Sequence, residues 1–486
     1  MTLLGRVDLV RRLPIVLLAA LAAAGCGGQE DTFQHFHSRP DLTPPLITVT
    51  TPAQGTAPGY IFIAPKGDVV QAGPMIVDDS GQLVWFNPLD THGVAEFRAQ
   101  LYDGRPVLTW WRGRAPKGVG DGYDVIVDNS YREIAQVRAG NELKADIHEF
   151  LITPRDTALI TVYHRMPADL SSVGGPRAGS VFEGVIQELD IATGRVLFEW
   201  HSFDYVALQE SYAQPPPASR GAAADAYDYF HINSVDEDVD GNLLISARNT
   251  HAIYKVSRKT GAVLWRLGGK KSDFTMAAGT RFAWQHDARR LSDGTISLFD
   301  NQADPPLAKE SRGLVLRLDT QHRRVQLVRS YTHPTGLLSG SQGNLQLLAD
   351  GHAIVGWGAN PTVTEFGQDR RVLLDARFKR GADSYRAYRF TWSGHPHDRP
   401  ALAVRTDRRG RVTAYASWNG ATDVARWQML AGPDAQHLRE VATVTRKGFE
   451  TRVNLGYLTD RYIAVRARGS NGERLGTSPV QERPAR

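Results

Sequence analysis

Residues 229–274, YFHINSVDEDVDGNLLISARNTHAIYKVSRKTGAVLWRLGGKKSDF, constrain the fold more than any other stretch. Four short runs, INSVDED, NLLISAR, HAIYKVS and AVLWRLG, have the apolar or alternating pattern of strands. Turns at Asp240-Gly241-Asn242 and Thr260-Gly261 divide them. Strands of four to eight residues split by DG and TG turns predict an antiparallel meander. One four-stranded sheet cannot bury both of its faces alone, so it must pack against copies of itself.

The copies are present. The shared grammar is a strand, a DG-type turn, an apolar strand, a third strand, a TG-type turn and a last strand carrying an aromatic residue. Asp103-Gly104, Asp240-Gly241, Asp293-Gly294 and Asp350-Gly351 mark the first turn. Ser80-Gly81, Thr193-Gly194 and Thr260-Gly261 mark the last. Six such repeats from about residue 57 predict an all-β fold, a six-bladed β-propeller over residues 57–400. YRAYRFTW at 385–392 is expected to return and complete the first blade. Residues 401–486 lack this grammar and hold about seven short strand-like runs, the pattern of a small fibronectin/Ig-like β-sandwich. Residues 208–228, low in apolar content and containing Pro215-Pro216-Pro217, read as a surface loop covering the mouth of a site.

Composition narrows the function. A chain of 486 residues with 46 glycines and one cysteine suits a turn-rich β-protein without disulfides. The net charge of +5 is mild over this length, and no block of five basic residues occurs, so nucleic acid is not a predicted partner. MTLLGRVDLVRR supplies three arginines ahead of the apolar run LPIVLLAALAAAG, the form of an export signal and short for a membrane span. Ala23-Ala24-Gly25-Cys26 has the shape of a lipoprotein cleavage site and holds the lone cysteine. Residues 1–26 are therefore expected to be a signal peptide with lipidation at Cys26, giving an extracytoplasmic, membrane-anchored protein. Plain secretion and an uncleaved anchor remain open. Residues 27–56 read as a polar tether and an N-terminal strand, with His35 and His37 solvated. Nothing in the chain fixes an oligomeric state.

Three histidines carry the functional argument. His148, His231 and His286 lie eight, nine and seven residues ahead of Asp156, Asp240 and Asp293, the turn residues of the third, fourth and fifth repeats. Innermost propeller strands line the axis, so residues at one phase face a shared channel. Asn233, two residues past His231, is expected on the same face. Tyr163, Arg248, Asn301 and Trp357 end second strands, and Arg248 offers a planar fork of donors to an anionic oxygen group. Trp284 and Tyr163 are candidates to stack on an aromatic substrate.

A lone histidine in a β-protein commonly satisfies a backbone carbonyl, but three at one phase beside Arg and Asn point to a site. A three-histidine zinc site is the rival reading, and Arg248 argues for an oxyanion over a cation. Asp236–Gly241 resembles the start of an EF-hand loop but has Ala247 where the closing glutamate belongs, so no metal is assigned.

At His-Ile-Asn-Ser 231–234, Ser-Ala-Arg 246–248, the LWRLGG run and Trp-Gln-His-Asp 284–287 followed by LFDN, the chain resembles the bacterial arylsulfotransferases, the PAPS-independent aryl-sulfate sulfotransferases, as a divergent lipoprotein-type member. The resemblance spans about residues 57–392. It implies a six-bladed propeller, a phenolic sulfate ester as donor, a phenol as acceptor and no cofactor. It further implies that His286 carries a transient sulfo-group while His148, His231, Asn233 and Arg248 bind and polarise the sulfuryl oxygens. The alternatives are a non-catalytic propeller lipoprotein that binds a surface ligand or partner protein, and a metal-dependent hydrolase.

Overall fold

Leu243, Leu244 and Ile245 are successive residues of one strand, and all three are buried. Leu243 and Ile245 join a core with Leu159, Ile186 and Trp200 of the preceding sheet. Leu244 joins a different core with Ile296, Leu298 and Leu314 of the following one. Side chains alternate across a strand, so an apolar run without polar interruptions is a strand sandwiched on both faces. That rule builds the chain, described here by a computed structural model for residues 32–484 apart from 92 and 224. The expectations for residues 1–26 and Cys26 lie outside the described residues.

Residues 229–274 form the expected meander of Ile232–Glu237, Leu243–Ala247, Ala252–Val256 and Val263–Gly268, each strand antiparallel to the next. Gly241 adopts φ +79°, a turn conformation that favours glycine. Five further sheets of four or five strands share this order. Each sheet packs on its neighbour, and the sixth packs on the first through Ile354, Val363 and Leu374 against Ile61, Met75 and Leu83. Two long-range strands complete the set. Ala387–Phe390 pairs with Tyr60–Ile63 in the first sheet, as the 385–392 segment predicted. Thr48–Thr51 adds to the outer edge of the sixth sheet, beside Val372–Arg377.

The tether expectation is corrected over its described part. Ser38 donates from N and Oγ to Glu450 Oε2 at 2.6 and 2.5 Å. Phe36 packs on Phe449 at 4.4 Å and His37 on Tyr415 at 4.1 Å, and Leu42 is buried. Apolar residues interleaved among the polar ones seat this segment against the C-terminal strands. Residues 208–228 are likewise more than a surface loop. Leu208, Glu210 and Tyr227 are buried, and Tyr227–Asp228 runs parallel to Val181–Phe182 of the third sheet.

Residues 401–484 form two sheets over a separate core of Leu402, Val412, Trp427, Met429, Val453 and Ile463. Asn419 ties this unit to the first sheet through paired bonds with the backbone of Phe86 at 3.0 and 2.9 Å. Among the described residues no helix is long and apolar enough to cross a membrane.

Candidate functional site

The innermost strands of the third, fourth and fifth sheets begin at nearly the same level. His148 occupies the turn ahead of Phe150–Ile152, His231 immediately precedes Ile232–Glu237, and His286 opens His286–Arg290. All three line one cavity of about 670 Å³, together with Arg248, Tyr385, Gln342, Lys66 and Trp111. The rings of His148 and His231 are 5.1 Å apart. Tyr385 stands edge-on to His148 at 5.5 Å and to His286 at 6.4 Å.

The hydrogen bonds fix which nitrogen faces the cavity. Asn301 Nδ2 donates to the carbonyls of Ser339 and Gln342 at 3.2 and 3.0 Å, which sets its amide orientation. Its Oδ1 therefore faces His286 Nδ1 at 2.8 Å, and the carbonyl of Trp284 lies 3.1 Å from the same nitrogen. Both partners only accept, so Nδ1 carries the proton and Nε2 keeps its lone pair. Gln342 N–H approaches that Nε2 at 3.2 Å. Burial, and then the Arg248 charge, push the His286 imidazole well below its ordinary pKa, so the ring is neutral at pH 7.

His148 and His231 are held differently. His148 Nδ1 bonds Asp146 Oδ2 and His231 Nδ1 bonds Asp228 Oδ2. In both rings Nε2 has no protein partner among the described residues. Asp146 is fixed in turn by the Gly120 N–H at 2.5 Å. Burial lowers the pKa of His231, opposed by Asp228.

Arg248 follows directly on its strand, and its N–H donates to the carbonyl of His231 at 2.8 Å. Its guanidinium lies 4.7 Å over the Trp284 ring and reaches Asn249 Oδ1 and the Gly340 carbonyl at 3.0 and 3.1 Å. Among the described residues no carboxylate comes within 4.0 Å of it, and Nε has no partner. A half-buried cation that no carboxylate contacts is an attractor for an anion.

Below the histidines, Arg386 bonds the carbonyls of His148 and Asn233 at 3.2 and 2.9 Å and pairs with Glu96 at 2.8 Å. Glu149 and Asp287 complete this buried ion cluster, which holds the backbone of His148.

Several predicted residues take other places. Asn233 does not line the cavity. The left-handed backbone of His231, φ +55°, and the register shift between Ile232 and Ser234 break the two-residue alternation. Asn233 Nδ2 instead donates to the Gln285 carbonyl at 2.6 Å, joining two sheets. Tyr163 stacks behind His148 at 5.3 Å and donates to the Ile232 carbonyl at 2.8 Å. Trp284 supports Arg248, and Asn301 orients His286. Trp357 is buried between sheets, with Nε1 on Thr364 Oγ1 at 2.9 Å and its ring on Phe299 at 5.8 Å, so it does not reach the site. Sequence reasoning missed Asp146, Asp228, Tyr385, Lys66 and Gln342. The D-x-H and D-x-x-H spacings were visible signals for the two aspartates. Tyr385, Lys66 and Gln342 arrive from distant strands and loops and carry no local signal. Among the described residues no cluster of three or more His, Cys, Asp or Glu is arranged to hold a metal ion.

A sequence model of the family described as Arylsulfotransferase (ASST) matches residues 98–379. No curated protein matches the chain. Among solved structures, it is similar to a protein of unknown function from Bacteroides caccae at 12% identity, covering 68% of this chain and 98% of that one, with a TM-score of 0.41. Virginiamycin B lyase from Staphylococcus aureus aligns at 8% identity over 76% and 94% of the two chains, TM-score 0.32. The β-propeller domain of Cps50 (Swd1) from Myceliophteria thermophila aligns at 12% over 68% and 97%, TM-score 0.31.

Proposed function

We propose, from the premise that this chain belongs to the arylsulfotransferase family, that it moves a sulfuryl group from a phenolic sulfate ester to a phenolic acceptor through a sulfo-histidine at His286. The observation that carries the reading is the convergence of three imidazoles and an unpaired guanidinium on one cavity. In the first half-reaction the Nε2 lone pair of neutral His286, given up by the Gln342 N–H, attacks sulfur, and the bond from sulfur to the aryl oxygen breaks. Arg248 takes the charge of the sulfuryl oxygens, as preorganised donors do in phosphoryl transfer. In its imidazolium form, with Nδ1–H held by Asp146, His148 gives its Nε2 proton to the departing phenolate and is left neutral. In the second half-reaction the acceptor phenol returns a proton to His148 and attacks the same sulfur, freeing His286.

The partner of His286 matters here. A neutral amide leaves Nδ1–H acidic and the ring a weak base. A sulfo-group on such a ring is a good leaving group, which suits a carrier that must be unloaded as readily as it is loaded. Purified protein given 4-nitrophenyl sulfate and phenol is expected to release nitrophenol and form phenyl sulfate in equal amounts. Binding of both without turnover would favour the non-catalytic alternative.

The six sheets are read as the blades of a propeller, supported by the closed order of face-to-face packing, and the two C-terminal sheets as an Ig-like sandwich. The Cys26 pattern supports an exported, lipid-anchored protein, and Cys26→Ser is expected to release it from membranes in fractionation.

A further inference from the structure

The two C-terminal sheets carry a charge pattern that the linear sequence hides. Arg426, Arg468 and Arg474 lie on three adjacent strands, and the pairing sets Arg426 opposite Arg468 and Arg468 opposite Arg474. Residues directly opposite share a face, so the three arginines stand in one row across strands spaced roughly 4.8 Å apart, with a register shift between Ala467 and Arg468 at its last step. The next row holds Gln428 opposite Arg466. Arg426 and Arg474 are exposed, and Arg466 and Arg468 are half-buried.

Like charges set opposite one another across a sheet are destabilising, and no described carboxylate contacts this row, Glu440 acting on Arg466 and Arg468 only from farther off. Among the described residues no carboxylate lies within 4.0 Å of any of the four arginines. Arg439 and Arg461, on the same domain, pair with Asp460 and Glu482 at 3.0 and 2.8 Å. Arg466 and Arg468 are held by a neutral group instead. Gln428 Oε1 accepts from Arg466 Nη1 at 3.2 Å and from Arg468 Nε and Nη2 at 3.1 and 2.9 Å. Partial burial, Arg474 and Arg468 together lower the pKa of Arg466. Its buried Nε and the opposing Thr477 Oγ1 have no partner.

We propose that this arginine row is a docking strip for a linear sulfated polysaccharide, separate from the histidine cavity. Guanidinium forks suit the oxygen fork of a sulfate group. The shape of the charge favours an extended polymer over a membrane plane. The row is bordered by Glu440, which bonds Gln428, and by Glu473, whose carboxylate lies against Gly469. An anionic lipid surface would press on those carboxylates as well as on the arginines.

The test uses the full chain and heparin as the probe. The protein is expected to bind heparin, with affinity falling steeply as salt rises. Replacing Arg426, Arg468 and Arg474 by Ser is expected to weaken binding about tenfold or more, with sulfuryl transfer unchanged. Gln428→Glu, which adds one carboxylate at the centre of the patch, is expected to weaken it in the same direction. A control that removes Arg324, Arg329 and Arg377, exposed on other sheets, deletes the same charge and is expected to leave binding within about twofold of the parent. Equal loss in the control, no binding to heparin, or binding only to phosphatidylglycerol vesicles would overturn the proposal.

Discussion

His286 Nδ1 donates to Asn301 Oδ1 across 2.8 Å, and the two carbonyls held by Asn301 Nδ2 leave the amide no other orientation. One side chain from the end of a neighbouring strand thus chooses the tautomer of the ring that faces the cavity. Asn301→Asp replaces the neutral acceptor by an anion and raises the basicity of His286. The acid limb of the rate profile is expected to move to higher pH. Asn301→Leu removes the orienting partner, and kcat is expected to fall about a hundredfold with little change in KM. Initial-rate profiles from pH 5 to 9 on both variants check this.

Arg248 has no carboxylate to satisfy it, so its charge is available to substrate. Arg248→Met is expected to lower kcat/KM for an aryl sulfate by about 10²–10³-fold. Arg248→Lys keeps the charge but loses the planar fork, and is expected to recover only part of that. Inhibition by free sulfate should weaken in the same order, as measured by competition.

The roles of the two aspartates separate by leaving group. Asp146→Asn disables the proton on His148, which matters most when the departing phenolate is a strong base. Transfer from phenyl sulfate is expected to fall at least tenfold more than transfer from 4-nitrophenyl sulfate. Asp228→Asn is expected to affect the two donors alike, because His231 borders Arg248, whose N–H bonds its carbonyl, and takes no part in protonating the leaving oxygen. A plot of rate against phenol pKa for each variant tests the division.

His251 gives a pH signature in stability. Burial, then the Arg248 and Lys270 charges, push it down to about 3, and Tyr212 stacks on its ring at 4.0 Å. In the unfolded chain it takes up a proton near pH 6.5. The native state resists protonation, so the unfolded state binds more protons and stability falls as pH drops from about 6.5 toward 3. Between pH 6.5 and 5 this one group costs at most about 2 kcal/mol. His251→Gln is expected to flatten that slope in denaturant titrations.

The fourth repeat shows how much was legible in the chain. Its DG and TG turns and apolar runs mark four strands, and those strands form in order. Their common phase brings His148, His231 and His286 to one cavity because each stands at the start of an innermost strand. The phase argument failed one step later. It assumed an unbroken alternation from His231 to Asn233, and a left-handed residue followed by a bulge turned Asn233 between sheets. Trp357 ends a strand as Arg248 does, but an aromatic ring there finds a dry gap between sheets and fills it. Tyr385 was out of reach for another reason. The return of its segment to residues more than three hundred positions earlier was legible, but Tyr385 precedes the paired strand itself, and no local pattern says that its ring enters the cavity. The arginine row is hidden in the same way, since its members come from three strands.

The most direct measurement is the mass of His286 itself. Protein incubated with 4-nitrophenyl sulfate in the absence of acceptor, then digested at alkaline pH, is expected to carry one sulfo-group on the peptide containing His286. Phenol added before digestion is expected to remove it. A fully active protein whose His286 peptide never gains that mass, or a His286→Ala variant that transfers at the parent rate, would contradict the account.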